Sequence, residues 1–181
     1  MRHRLARIVL WLFVIDLGIA LGAGLYESRV EFPRWANSAS ASGFDAGAAR
    51  AANAGMRFWL YVTTVPLTIL TLASFVALRW TDPETRKWWL IAAGAALGDR
   101  ILTFAYFIPT MLQLVSGAEA NARAVAFQWS QAAWIRHALA LIAWLAALQA
   151  FASFARSRRR YTHLSVAGRE RSELEDVRLR A

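Results

Sequence analysis

WWLIAAGAALGDRILTFAYFIPTMLQLV, residues 88–115, decides the fold. Apolar side chains occupy nearly every face of this stretch. A soluble amphipathic helix would confine them to one stripe at i, i+3, i+4, i+7. At 1.5 Å per residue the stretch crosses about 30 Å of hydrocarbon with length left for tilt. Three more blocks of the same kind lie at about 6–26, 58–78 and 129–154. The chain therefore reads as all-α, an integral membrane four-helix bundle. Residues 1–155 form the four-span domain, and 156–181 a basic tail with one or two helical turns near Glu170 to Leu179.

Composition agrees. Apolar residues make up 57% of the 181 and charged residues 18%, against about 45–50% and about 25% in soluble proteins. The net charge of +9 comes from 20 Arg and one Lys against 12 acids. Most of these basic residues flank the apolar blocks, which points to the bilayer as partner and not to nucleic acid. No cysteine is present, so disulfides, zinc–thiolate sites and iron–sulfur clusters are excluded.

The basic residues also orient the chain. Arg2, Arg4 and Arg7, then Arg79, Arg86 and Lys87, then eight arginines of the tail lie on one side. Short segments rich in Lys and Arg stay inside, so both termini are expected in the cytoplasm and the protein in the inner (plasma) membrane. The first block is too long for a signal peptide and carries Asp16, so an uncleaved anchor is expected. Trp11, Trp59, Trp80, Trp88, Trp89, Trp129 and Trp134 fall near span ends, as an interfacial belt would. Residues Glu27 to Met56 read as a loop with Pro33, the run Ser38 to Gly43, and a short helix over Phe44 to Arg50. Arg79 to Lys87 is a tight polar turn, and Pro109, clashing with the carbonyl of Ala105, predicts a kink.

Three charges lie within the spans. Asp16 is roughly 13 Å beyond Arg7, and Asp99 and Arg100 roughly 18–20 Å beyond Lys87, all near mid-bilayer. A charge at a helix centre costs about 2.5–3.5 kcal/mol on insertion, so these side chains should face protein and pair. Asp16 and Arg100 differ in depth by about 6 Å, within an arginine's reach. They are expected to pair, with Asp99 either joining or protonated. Structural glue between spans one and three is one reading of this group; a proton relay or substrate contact is the other.

A second group sits higher. Asp16, Ala20, Ala23 and Glu27 follow i, i+4, i+7, i+11 along one helix face. Arg136 and His137, roughly 28–30 Å from Arg156, reach the level of Glu27, as does Tyr106. His137 is the only histidine away from the terminal regions and so the candidate base. The plainer alternative is a His and Arg anchored among headgroups. Phe104, Tyr106, Phe107 and Trp134 suit either a pocket for a planar lipophile or bundle core. Gly18-xxx-Gly22 and Gly94-xxx-Gly98 permit close helix contact. No spacing resembles a metal site or a phosphate loop, and no Ser/His/Asp arrangement stands out, so neither cofactor nor metal is indicated.

Several motifs together resemble a family of small four-span membrane proteins. It includes the anthrone oxygenases of polyketide biosynthesis and many bacterial proteins of unknown function. The matching pieces are Tyr26-Glu27-Ser28-Arg29-Val30 after a Gly-rich helix end, then Pro33 and Trp35; Phe58-Trp59 with Pro66; Arg100 with Phe107-Ile108-Pro109; and Trp129…Trp134-Ile135-Arg136, within residues 8 to 150. The resemblance implies dioxygen addition to an electron-rich aromatic substrate without metal or flavin. His137 would then be the base, with Arg136, Arg100 and Tyr106 stabilising charge. Two functional classes remain open at this point: a module binding or passing a lipophilic small molecule or proton, and a cofactor-independent oxygenase.

Overall fold

A computed structural model describes residues 2–36, 43–52, 57–117 and 119–180, from residue 157 onward as backbone alone. These residues are almost entirely helical and include no strand. Four spans, Arg2–Ala36, Trp59–Trp80, Pro83–Ser116 and Ala122–Arg156, are long and apolar enough to cross a bilayer. Only 28–39% of each span's most apolar stretch is buried inside the bundle. The outside is therefore greasy: Ile8, Trp11, Ile69, Leu72, Ile101 and Leu145 are all exposed. Apolar surface on that scale needs lipid. The chain is a multi-pass membrane protein with a four-helix bundle fold.

The first span is α1 (Arg2–Tyr26), a π-helical turn (Glu27–Glu31) and α2 (Phe32–Ala36). A short helix α3 (Ala46–Ala51) follows, its first turn capped by the Asp45 carboxylate, which accepts from the Ala48 N–H at 2.8 Å. The second span is a π turn (Trp59–Thr64) and α4 (Val65–Ala77), closed by a 3-10 turn (Leu78–Trp80). The third is α5 (Pro83–Leu102), a π turn (Thr103–Phe107) and α6 (Ile108–Ser116); the fourth begins α7 (Ala122–Arg180).

Proline explains the π turns. Its ring collides with the carbonyl four residues back, and it offers no N–H. Pro33, Pro66 and Pro109 each stand two residues beyond a π turn, and the carbonyls they would strike belong to Arg29, Val62 and Ala105, inside those turns. There the helix widens to i→i+5 bonding: the N–H groups of Phe32, Val65 and Ile108 donate to the carbonyls of Glu27, Leu60 and Thr103. At Pro33 the helix continues where a loop was expected. This corrects the loop placed from Glu27: the first span runs on to Ala36. The Ser38 to Ser42 part of that loop lies outside the described residues. Pro83 sits instead in the first turn of α5, after the Asp82 cap.

The expected turn near Arg79 is present. Asp82 accepts from the Thr85 backbone and hydroxyl, while the Arg86 guanidinium donates to the carbonyls of Leu78 and Thr81. The tail differs from expectation, because α7 continues unbroken to Arg180. Helix nucleation is costly and propagation is not, and no proline follows span four.

Each span packs on the next, and the fourth closes on the first, so spans one and three face each other across a diagonal. Buried positions follow regular seams. On α1 these are Ala6, Leu10, Phe13, Leu17, Leu21 and Gly24; on α7 they are Ala133, His137, Ala140, Ala143, Ala147 and Ala150. Small residues let these helices approach closely. One core cluster gathers Ala6, Leu78, Trp89 and Phe154; another, at the far end, gathers Phe32, Phe107, Leu114 and Trp129. Trp89 and Trp129 are thus core residues and not part of an interfacial belt. Of the glycine pairs, Gly18 packs closely under Trp144, whereas Gly22 and Gly94 face open space.

Overpacking this seam should be costly. Ala147 is fully buried and its neighbour Leu148 is 37% exposed. Ala147→Leu should lose about 1–3 kcal/mol, read as a lower melting temperature in detergent. Leu148→Ala should stay within about 0.5 kcal/mol of wild type.

Candidate functional site

Asp99, Arg100 and Thr103 fall on the buried seam of the third span, at the level where α5 passes into its π turn. Arg100 donates through Nε and Nη2 to Oδ2 of the adjacent Asp99. The expected Asp16–Arg100 ion pair is not formed. Neighbouring helix axes sit about 8–10 Å apart, so diagonal ones are about 11–14 Å apart, and one guanidinium cannot serve both carboxyls well. Asp16 is nevertheless buried, and the Arg100 charge acts on it. Three buried atoms of this group are left without a hydrogen-bond partner among the described residues: Asp16 Oδ2, Asp99 Oδ1 and Arg100 Nη1.

The second group assembles one level up. Arg136 on α7 reaches Glu27, at the opening of the first π turn, with Nη2–Oε2 at 3.4 Å. Both side chains are largely buried, and aromatic rings enclose the guanidinium: Phe107 at 4.6 Å, Trp59 at 5.7 Å and Trp129 at 6.0 Å. Cation–π contacts strengthen when they are shielded from water. Residues of all three π turns therefore meet at one arginine. His137 Nε2 is hydrogen-bonded to Ser28 Oγ at 2.8 Å, and its ring stands edge-on to Trp134. Gly24 makes room for it, since a Cβ there would lie 3.1 Å from Cε1 of the imidazole.

Two cavities flank this assembly. The inner one, about 30 Å³, is lined by Gly24, Asp99, Arg100, Thr103, Arg136 and His137, among others. That volume holds about two waters. The outer one, about 490 Å³, lies between the end of span one and the start of span four. Phe32, Phe127, Trp129 and Trp134 form its apolar wall; Ser28, Arg29, Arg123, Ser130 and His137 supply polar groups, and no acid among the described residues lines it. Arg29 lies over the Trp134 ring at 4.7 Å. Its volume is in the range of small-molecule sites.

Of the residues singled out from sequence, Glu27, Arg136 and His137 converge, and Asp99 and Arg100 border the same inner cavity. Tyr106 does not join them. It packs edge-on against Phe107, centroids 5.3 Å apart, and lines neither cavity. Phe107 holds the place foreseen for it. Asp16 does not line the inner cavity. The roles of Gly24, Ser28, Arg29, Trp59 and Arg123 were not foreseen. The signal for two of these was present: Leu17, Leu21, Gly24 and Ser28 repeat at i, i+4, i+7, i+11, one position along from the stripe that carries Glu27. Among the described residues no cluster of metal-ligating side chains occurs.

Breaking the Glu27–Arg136 pair from one side strands a buried charge. Arg136→Leu should lower stability by about 3–5 kcal/mol. Adding Glu27→Gln to that variant should restore part of the loss, measured by thermal denaturation in detergent.

No protein-family model matches the chain, and neither a characterised protein nor a solved structure is recognisably similar to it.

Proposed function

We propose that this protein binds a lipophilic small molecule in the outer cavity, at the membrane level where spans one and four diverge. The supporting observation is the composition of that cavity's wall. Phe127 and Trp134 present exposed ring surface there, backed by the stacked Phe32–Trp129 pair, while two arginines, two serines and His137 offer polar contacts with no acid among the described residues beside them. Such a lining favours a planar aromatic body with an anionic or hydrogen-bond-accepting head. Binding of a planar aromatic weak acid, followed by quenching of tryptophan fluorescence, should weaken about tenfold in Arg29→Gln and in Arg123→Gln. Arg79→Gln, at the other end of the bundle, should leave affinity unchanged. Equal affinity in all three variants would contradict the reading.

One observation favours a second, catalytic reading. His137 is buried, fixed by Ser28, and exposed to the outer cavity through the wall it forms. The resemblance to anthrone oxygenases gives that imidazole the role of removing a ring C–H proton before dioxygen adds, with arginine charge stabilising the anion. Oxygen uptake with an anthrone that is lost in His137→Ala would support it. Binding without uptake in wild type would leave binding alone.

The basic residues of the end carrying Arg2, Arg4, Arg7, Arg79, Arg86 and Lys87 support an orientation with both termini in the cytoplasm of a bacterial cell, across its inner membrane. The chain lacks cysteine, so single reporters can be introduced at the two ends of the bundle. In intact spheroplasts Glu119→Cys should react with a membrane-impermeant maleimide and Glu84→Cys should not. The reverse pattern would invert the topology.

A further inference from the structure

Charge is spread unevenly along the bundle. The end away from the outer cavity holds, among the described residues, seven cations against two acids, Asp82 and Glu84. Asp82 is occupied as the cap of α5. Glu84 reaches Arg156 at 4.0 Å, with both side chains more than half exposed, and such a pair is weak. Arg86 turns its guanidinium to backbone carbonyls. Arg2, Arg4, Arg7, Arg79 and Lys87 meet no acid among the described residues. The sequence then adds Arg158, Arg159 and Arg160, and no acid follows until Glu170.

Packing gathers these cations at one level. The helix α1 packs on the 3-10 turn that carries Arg79, and Ala6, Leu78, Trp89 and Phe154 share one buried cluster. Arg7, Arg79, Lys87 and Arg156 each lie within two residues of a member of that cluster.

Span one shows what the charge faces. Arg4, Arg7, Ile8 and Trp11 follow i, i+3, i+4, i+7, opposite the buried Ala6, Leu10 and Phe13. Both arginines are exposed, as are Ile8 at 52% and Trp11 at 54%. Two cations therefore stand directly above apolar surface, Arg4 about 10 Å from Trp11 along the axis. A phospholipid offers the complement in one molecule: a phosphate at the level of the arginines and acyl chains beside Ile8 and Trp11. Nucleic acid would match the cations alone and leave the apolar half of the face unused.

We propose that this face of span one binds an anionic phospholipid, Arg4 and Arg7 holding the headgroup and Trp11 lying along the chains. The other cations of that end add to the same field, which attracts anionic lipid and repels none of the neutral kind. The site lies on the lipid-facing side of the bundle and stands apart from the ligand reading of the outer cavity.

Tryptophan quenching by lipids with brominated chains tests it, in vesicles of phosphatidylcholine and phosphatidylglycerol. Either leaflet of a vesicle supplies the lipid, so the result does not depend on orientation. The fluorescence that Trp11→Phe removes reports this face. Brominated phosphatidylglycerol should half-quench it at about fivefold lower mole fraction than brominated phosphatidylcholine, the factor expected from one basic residue at an anionic surface. The ratio should fall to near one in the double variant Arg4→Gln/Arg7→Gln, and in wild type at about 0.5 M salt, where charges are screened within about 5 Å. Arg34→Gln/Arg50→Gln, at the other end, should keep it. Equal quenching by the two lipids in wild type would overturn the site, as would a preference that survives in Arg4→Gln/Arg7→Gln. Tight binding of a single-stranded RNA oligonucleotide without any lipid preference would assign the charge to nucleic acid and overturn it too.

Discussion

A charged side chain in hydrocarbon must find its partner inside the protein, and here that requirement governs how four helices meet. Arg136 satisfies it completely. Its guanidinium touches an acid from the first span and aromatic rings from the second, third and fourth. Arg100 satisfies the requirement only in part, by turning to the acid beside it in sequence. That difference separates an ion pair that ties two spans together from one held within a single span.

The backbone serves the same end. Proline removes a donor and crowds a carbonyl, and three of the four prolines sit where this widens a span into a π turn. Such turns shift the register of the residues that follow and are frequent at functional sites. In this chain they carry Glu27 and Ser28, Trp59, and Thr103 and Phe107 to one level of the bundle. Alanine-rich seams then draw spans three and four close enough for His137 and Asp99 to border one small space.

Much of this was legible in the chain itself. Uninterrupted apolar blocks reveal spans, because lipid demands apolar surface all round, and the four spans stand where those blocks lie. Convergence of Glu27, Arg136 and His137 followed from depth alone, since a helix advances by a fixed rise. Rotation was harder to read. A nearly uniform apolar helix hides which face is buried, so Asp16 was matched with Arg100 by depth although they sit on diagonal helices. Tyr106 was favoured over Phe107 for the same reason. Pro33 misled by convention: it marks loops more often than widened helices, and the first span was cut short at Tyr26. Ser28 lay in plain view, but its value depends on a histidine 109 residues away.

The account rests on polar groups of span one meeting those of span four within the bilayer. Solid-state NMR of the chain in lipid, with nitrogen-15 in histidine and carbon-13 in serine, measures this directly. A dipolar coupling between His137 Nε2 and Ser28 Cβ, of the strength that a 2.8 Å hydrogen bond implies, is the expected result. A His137 ring with no coupling to Ser28 in that bilayer would contradict the account.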